Sequence, residues 1–238
     1  MDAALLEVEA LEAGYDGVQV LWGVGLKVPR GGMTTLVGAN GAGKTTTLRA
    51  VTGTIRPHSG RVLFRGEDVT RLPPHAKAAR GLVLVPEGRQ VFSAMSVEEN
   101  LEMGAYSARA HARHAAQMAE VYRMFPRLEE RAAQKAGTLS GGEQQMLAIA
   151  RGLMSLPEVL MIDELSLGLA PVVVQQLVAS LKALKSAGIT ILLVEQNVHL
   201  ALALSDYAYV IAEGRPFTEG PAERVAAMPE IRQAYLGL

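Results

Sequence analysis

The amino-acid sequence predicts an α/β fold in which a mostly parallel sheet is flanked by helices. Short apolar runs rich in β-branched residues recur along the chain, and helical stretches lie between several of them. The runs show little alternation between apolar and polar residues, which is typical of strands buried on both faces. They occupy residues 34–37, 62–64, 82–85, 159–162, 189–194 and 207–211.

Two helices are predicted with defined ends. One covers residues 44–52, directly after a glycine-rich segment, and the other covers residues 172–187. The second is followed by Gly188, a residue type common at helix C-termini, and its leucines recur at helical spacing. These leucines are Leu177, Leu181 and Leu184.

Two regions differ from this pattern. Residues 5–28 alternate like antiparallel strands, with a turn at 14–17. Residues from about 96 to 156 are rich in Ala, Arg and Glu and contain no strand candidate, so we expect an all-helical insert. A chain of this length is expected to form one domain with subdomains. The expected divisions are a β subdomain plus an α/β core over 1–95 and 157–238, and a helical subdomain over 96–156, within a single domain of residues 1–238.

The composition excludes several classes of protein. A net charge of −1 gives no indication of a nucleic-acid partner, and the absence of cysteine excludes disulfides and Cys-ligated metals. The first residues lack the pattern of a signal peptide, and no apolar run approaches the ~20 residues that a membrane-spanning helix needs. We therefore expect a cytoplasmic protein whose membrane role, if it has one, depends on a partner.

Residues 38–45 read GANGAGKT and match the phosphate-loop pattern G-x-x-x-x-G-K-S/T between a predicted strand and a predicted helix. Glycines let backbone N–H groups turn towards phosphate oxygens, and the helix adds its positive end. Lys44 is placed to reach the β- and γ-phosphates and Thr45 to hold Mg²⁺. The candidate ATP contacts are Gly38, Ala39, Asn40, Gly41, Ala42, Gly43, Lys44, Thr45 and Thr46.

Two carboxylates, Asp163 and Glu164, follow the apolar run 159–162. Ligands of open α/β sheets lie at the carboxyl ends of strands, where the phosphate loop also lies. We expect Asp163 to hold Mg²⁺ and Glu164 to deprotonate the attacking water. Taken without the phosphate loop, the pair would fit equally well in a solvated turn.

Residues 139–145 read LSGGEQQ, and we call them the signature segment. Here the chain resembles the ABC ATPases, whose signature is LSGGQ, with Glu143 in the last place. A Ser-Gly-Gly turn that opens a helix is itself an anion site, although Ser140 could act only as a helix cap. The resemblance implies a head-to-tail dimer in which one cassette's signature contacts the ATP bound by the other. The implied contacts are Ser140, Gly141, Gly142 and Glu143.

The resemblance extends over the whole chain and implies a P-loop NTPase (RecA-like) core that binds ATP and Mg²⁺. Tyr15 lies where an aromatic residue stacks on adenine in this family. The D-loop corresponds to residues 166–170. The switch segment, residues 195–197, contains Gln196 where the family usually has histidine. Glu87 takes the place of a glutamine that touches Mg²⁺ and senses the transmembrane partner.

These differences also favour one subfamily. A neutral Gln196 can hydrogen-bond a γ-phosphate but cannot carry a proton, which leaves Glu164 as the base. The usual D-loop aspartate is Ala170, and Leu165 replaces a proline without an evident reason in the sequence. Together with SLGLAP and LLVEQN, the stretch VPEGRQVFSAMSVEENL resembles the second ATPase subunit of bacterial branched-chain amino-acid importers. Subunits of urea and short-chain amide importers are very similar.

The resemblance implies an ATPase that drives import of branched-chain (hydrophobic) amino acids from the inner face of the cell membrane. Its implied partners are a second cassette (a copy or a sibling), two permease subunits and, indirectly, a solute-binding protein, with no nucleic acid. One alternative is a soluble ABC ATPase acting on DNA, translation or cofactor assembly, which would need a coiled-coil insert, two cassettes or a basic face. Others are a small-molecule kinase, which has no reason to keep the signature, and an inactive ATPase.

The five histidines, His58, His75, His111, His114 and His199, do not cluster with carboxylates at metal-ligand spacing. We interpret them as surface or packing residues. His199 lies one turn after the switch position and is the only one near the expected site.

Overall fold

The computed structural model describes residues 4–236 and contains two sheets. The four-stranded sheet has the order β2-β1-β4-β5, and the six-stranded sheet has the order β10-β9-β3-β8-β7-β6. The strands are β1 (Ala4–Tyr15), β2 (Val18–Pro29), β3 (Met33–Val37), β4 (Ser59–Phe64), β5 (Glu67–Asp68), β6 (Leu82–Val85), β7 (Val159–Asp163), β8 (Thr190–Glu195), β9 (Tyr207–Ala212) and β10 (Arg215–Pro221).

The helices lie between and around these strands. They are α1 (Lys44–Thr52), α2 (Pro74–Arg80), α3 (Val97–Gly104), α4 (Ala108–His111), α5 (His114–Met124), α6 (Pro126–Glu129), α7 (Gly141–Met154), α8 (Pro171–Ser186), α9 (Val198–Leu204), α10 (Ala222–Ala227) and α11 (Pro229–Ile231), with a 3₁₀ turn at Ala136–Thr138 and a π turn at Arg232–Leu236. No helix in residues 4–236 is long and apolar enough to cross a membrane.

The six-stranded sheet is parallel from β6 to β9, and β10 pairs antiparallel with β9 at one edge. Every residue of β3, β7 and β8 is buried. Alternate residues of β7 enter two different apolar clusters, Leu160 and Ile162 in one and Val159 and Met161 in the other. Each buried side chain of this size contributes about 1.5–3 kcal/mol to folding. The sheet is therefore the middle layer between two cores, as the apolar runs predict.

The N-terminal sheet is antiparallel, as the alternation of residues 5–28 predicts, and β1 pairs with both β2 and β4. The prediction that residues 62–64 form a strand buried on both faces, as in the parallel sheet, is wrong. They belong to β4, which pairs antiparallel with β1, and only Val62 and Phe64 point into the core. A run of three residues is too short to reveal the alternation.

Between β6 and β7 the chain is helical, from α3 to α7. Gly104 at the end of α3 lies against α7, where an added Cβ would be 2.2 Å from the carbonyl oxygen of Arg151. Glycine thus permits the close approach of α3 and α7. The α/β class with an antiparallel β subdomain and an inserted all-helical subdomain is confirmed.

The carboxyl ends of β3, β6, β7 and β8 lie at the same edge of the six-stranded sheet. This edge brings together the phosphate loop after β3, Glu87 after β6, the acids at the end of β7 and the switch segment at the end of β8. These are the segments that the sequence predicts to form the site, and the sheet topology places them side by side.

Candidate active site

The phosphate loop joins β3 to α1, and its glycines occupy positions that other residues would strain. Gly41 and Gly43 have φ of 77° and 102°, in the left-handed region. A Cβ on Gly38 would lie 2.4 Å from the carbonyl oxygen of Ile211, so the loop passes directly over β9. No side chain caps the start of α1. The backbone N–H groups there are consequently available to an anion.

Lys44 is buried at the base of this loop. Its Nζ donates to the carbonyl oxygens of Gly38 at 3.0 Å and Ala39 at 3.3 Å. The same Nζ lies 3.4 Å from Oε1 of Glu164. The predicted phosphate-binding cation and the predicted base are therefore in direct contact.

Asp163 is buried at the end of β7, and its Oδ1 has no hydrogen-bond partner. Burial raises the pKa of Asp163 to about 6, and the nearby negative charges of Glu164 and Glu87 act in the same direction, whereas the Thr45 hydroxyl and Lys44 oppose the shift. Burying a carboxylate oxygen without a hydrogen-bond donor costs free energy unless a cation or another donor contacts it.

These features fit Mg²⁺, a small cation that prefers oxygen ligands and usually takes one or two carboxylates plus substrate phosphates. Asp163 and Thr45 would hold it, and Glu87 faces the same cleft. In the described part of the chain, no three His, Cys, Asp or Glu side chains are arranged to hold a metal by themselves. The remaining ligands would have to come from phosphate and water.

Glu164 adopts an unusual backbone conformation, with φ of 53°. Its N–H donates to the carbonyl of Val194 at 2.9 Å, and its Oε2 accepts from the N–H of Gln196 at 3.3 Å. A left-handed, non-glycine residue costs of order 1–3 kcal/mol and persists only where its surroundings hold it. The next residue, Leu165, is fully buried in the core, which gives a physical reason for an apolar side chain there.

A cleft of about 430 Å³ is lined by nine of the eighteen predicted site residues. It is lined by Val20, Asn40, Gly41, Gly43, Lys44, Thr45, Thr46, Glu87, Glu164, Leu167 and Gln196. Val20 was not identified from the sequence, and Leu167 belongs to the predicted D-loop but was not predicted to line the cleft. The position of Leu167, only three residues after the second of the two acids, could have indicated that it lines the cleft.

Tyr15 lies beside this cleft. Its hydroxyl donates to Oγ1 of Thr46 at 3.4 Å and accepts from Nη1 of Arg49 at 3.2 Å. The end of β1 is thereby joined to the first turns of α1. Adenine stacking on Tyr15 stays a prediction.

The signature residues lie at the start of α7, and none of them is among the described residues that line the cleft. Ser140 and Glu143 form a capping box, with Glu143 Oε2 accepting from the N–H of Ser140 at 2.9 Å. Glu143 Oε1 also lies 3.0 Å from Nε of Arg131. A Cβ on Gly141 would be 2.9 Å from Nη1 of Arg89, so an arginine from the loop after β6 covers this turn.

No histidine is among the described residues that line the cleft. Four are exposed and His114 is half-buried. His199 is on the exposed side of α9, and no ligand cluster includes any of them within residues 4–236.

Comparison with known proteins gives consistent matches. The family model described as ABC transporter matches residues 21–166, more than half of the chain. The high-affinity branched-chain amino acid transport ATP-binding protein BraG of Pseudomonas aeruginosa is 44% identical over 98% of this chain and 100% of its own length. The lipopolysaccharide export system ATP-binding protein LptB of Escherichia coli is 30% identical over 98% of this chain and 98% of its own.

The fold agrees with solved structures. A crystal structure of a nucleotide-free ATP-binding cassette from an ABC transporter matches with a TM-score of 0.85 and 26% identity, covering 96% of this chain and 97% of that one. Both the fold and the family that the motifs indicate are thereby confirmed. The chain belongs to the ABC transporter family, as an ATP-binding subunit and an ATPase.

Proposed function

We propose that the chain hydrolyses Mg-ATP to drive an importer of branched-chain, hydrophobic amino acids. The observation that carries the proposal is a cleft lined by the phosphate loop and Glu164, with the unpartnered oxygen of Asp163 buried beside the cleft residues Thr45 and Glu164. The choice of solute is supported by the similarity to BraG over the whole chain, and by Glu87 and Gln196 at positions where the wider family differs.

The residues of the cleft divide the chemistry between them. The loop N–H groups and Lys44 bind the β- and γ-phosphates, and Tyr15 stacks on adenine. Thr45, Asp163 and Glu87 hold Mg²⁺, which supplies positive charge to the phosphate oxygens when it is bound. Gln196 donates a hydrogen bond to the γ-phosphate.

Glu164 is the general base in this proposal, and its contact with Lys44 suggests how it becomes available. Lys44 Nζ is 3.4 Å from Glu164 Oε1. A γ-phosphate that binds Lys44 competes with this carboxylate for the same ammonium. Glu164 is then released to accept a proton from the attacking water.

The signature segment acts on a second cassette. The start of α7 presents N–H groups and a helix N-terminus outside the chain's own cleft, so its anion would be the ATP of a partner. Glu143 brings a negative charge to this turn. Its contact with Arg131 at 3.0 Å neutralises that charge, which explains how glutamate can replace the glutamine of the general family.

A groove of about 200 Å³ beside the end of β6 is the proposed place for a short permease helix. Phe92 and Met103 line it and are 44% and 50% exposed, which is high for large apolar side chains. Arg151 stacks on Phe92 at 4.9 Å from the ring centre. Two permease subunits and a second cassette complete the assembly, with a solute-binding protein acting indirectly. The chain then works on the cytoplasmic, inner face of the membrane.

In this proposal residues 1–238 act as one ABC ATPase domain. Residues 96–156, the helical subdomain, carry the signature segment and one side of the permease groove. Residues 1–95 and 157–238 carry the nucleotide cleft.

A deletion strain of the host tests the proposed solute. Uptake of radiolabelled leucine, isoleucine and valine should fall when the gene is deleted and return with the wild-type gene, but not with the Glu164→Gln variant. Loss of urea or short-chain amide uptake alone would identify the related importers. A defect in lipopolysaccharide export with normal uptake would favour the LptB-like role, for which the 30% identity is the supporting observation.

A further inference from the structure

Glu195 is a fully buried carboxylate that the mechanism above does not use. It ends β8 with an exposed fraction of 0%. Burial raises its pKa, and the N–H groups of Ser166 and Asn197 oppose that shift. Within the described part of the chain, hydrogen-bond donors balance its charge, and no cation pairs with it.

One side of the carboxylate holds the D-loop. Glu195 Oε1 accepts from the N–H of Ser166 at 2.8 Å, and Oε2 accepts from the Ser166 hydroxyl at 3.2 Å. Ser166 follows Glu164 by two residues, so this contact also fixes the chain directly after the proposed base.

The other side holds the switch segment. Glu195 Oε2 accepts from the N–H of Asn197 at 3.3 Å. The preceding N–H, that of Gln196, donates to Glu164 Oε2 at 3.3 Å. Two successive peptide N–H groups are therefore held by two different carboxylates, one structural and one proposed to be the base.

We propose that Glu195 is a positioning residue that joins the D-loop to Glu164 through the switch segment. The signature turn contacts Val173 at the start of α8, just after the D-loop, and the Arg89 guanidinium lies between the signature turn and the D-loop. A Cβ on Gly142 would be 2.3 Å from Cγ1 of Val173, and one on Gly168 would be 3.9 Å from the Arg89 guanidinium. If the signature turn shifts when it binds a partner's ATP, a continuous series of contacts therefore connects that shift to Glu164, the proposed general base in the chain's own cleft. The inference rests on the proposed function.

A carboxylate matches the donors around this place. Three donors point at two oxygens, and a carboxylate accepts all of them. In a Glu195→Gln variant the amide oxygen can keep the Ser166 N–H, but the amide NH₂ then meets the N–H of Asn197. Two donors face each other, and the switch segment must move away.

The test measures ATP hydrolysis by the full-length chain, together with ADP affinity from a fluorescent analogue and the thermal midpoint. Glu195→Gln should lower kcat at least tenfold and leave the KM for ATP and the ADP affinity within about twofold. Ser166→Ala, which loses only the 3.2 Å hydroxyl contact, should lower kcat about two- to threefold. The double variant should match Glu195→Gln alone, because both changes break the same link. Glu219→Gln, an exposed glutamate on β10, is the control and should behave as wild type.

A folded Glu195→Gln variant with kcat within twofold of wild type would overturn the inference. Equal losses of kcat and ADP affinity would also overturn it, because they would indicate that Glu195 only stabilises the fold. If Glu195→Gln does not fold, an unchanged kcat in Ser166→Ala decides against the link. A wild-type chain that hydrolyses no ATP contradicts the proposed function itself, and the inference falls with it.

Discussion

Replacing Glu164 with glutamine separates nucleotide binding from hydrolysis in this cleft. The change keeps the shape of the side chain and removes its charge. Lys44 then loses the negative charge 3.4 Å away and is left with neutral acceptors, among them its two carbonyl oxygens at 3.0 and 3.3 Å. A charge-assisted contact of this kind contributes about 1.5 kcal/mol at the lower end of its range, so its loss frees Lys44 for the phosphates and strengthens ATP binding roughly tenfold. Removal of a general base lowers the hydrolysis rate by about 10²- to 10⁴-fold.

The assay for Glu164→Gln combines a fluorescence titration with an ATP analogue and a phosphate-release measurement at saturating Mg-ATP. Glu223→Gln, an exposed glutamate on α10, is the matched control and should bind and hydrolyse ATP like wild type. Size-exclusion chromatography of the Glu164→Gln variant with Mg-ATP should show a stable dimer, unless the chain pairs only with a sibling. Weaker ATP binding than wild type, or a hydrolysis rate within tenfold of it, would refute the role given to the Lys44–Glu164 contact.

Two further predictions concern charges whose surroundings the structure defines. Arg131→Ala should lower ATP hydrolysis several-fold, because it leaves the charge of Glu143 unneutralised at the proposed ATP contact. Adding Glu143→Gln to this variant should restore hydrolysis. Unchanged hydrolysis in Arg131→Ala would count against the proposed role of the Arg131–Glu143 pair. Lys77 is fully buried and donates to the Val51 carbonyl at 2.7 Å, and burial lowers its pKa to about 8. Between pH 8 and 10.5 the unfolded chain keeps this proton while the folded chain has released it, so the free energy of unfolding should rise with pH by up to about 3 kcal/mol. Urea denaturation at pH 7.5 and 10 should show this rise in wild type and in the exposed-lysine control Lys182→Met, but not in Lys77→Met, and an equal rise in all three would be inconsistent with the low pKa.

The phosphate loop and the two acids could be predicted from the sequence because each depends on neighbouring residues. Gly41 and Gly43 are required by local backbone angles, and Asp163 and Glu164 follow a fully buried strand. The sheet then brings these segments together at the ends of parallel strands. The family is confirmed, while the roles of single residues in the cleft stay predictions.

Other features depend on contacts between distant parts of the chain, which no local pattern encodes. Residues 62–64 pair with β1 because of long-range packing, and the run alone does not distinguish a parallel from an antiparallel strand. The contact of Arg131 with Glu143 joins residues 12 positions apart, and that of Ser166 with Glu195 joins residues 29 apart. Leu165 was unexplained in the sequence and has a clear place in the core.

The proposal that each phosphate loop works only when another cassette's signature covers it can be tested by mixing two inactive variants. Lys44→Ala removes the loop cation and keeps the signature. Gly141→Asp keeps the loop and places a negative charge at the signature, where its Cβ meets only the flexible end of Arg89 at 2.9 Å, so the fold should survive. If the two variants pair at random, half of the dimers contain one subunit of each variant. One of the two ATP sites in each such dimer is intact, so the mixture should recover about a quarter of wild-type ATP hydrolysis. A mixture that hydrolyses ATP no faster than the average of the two variants would contradict the account.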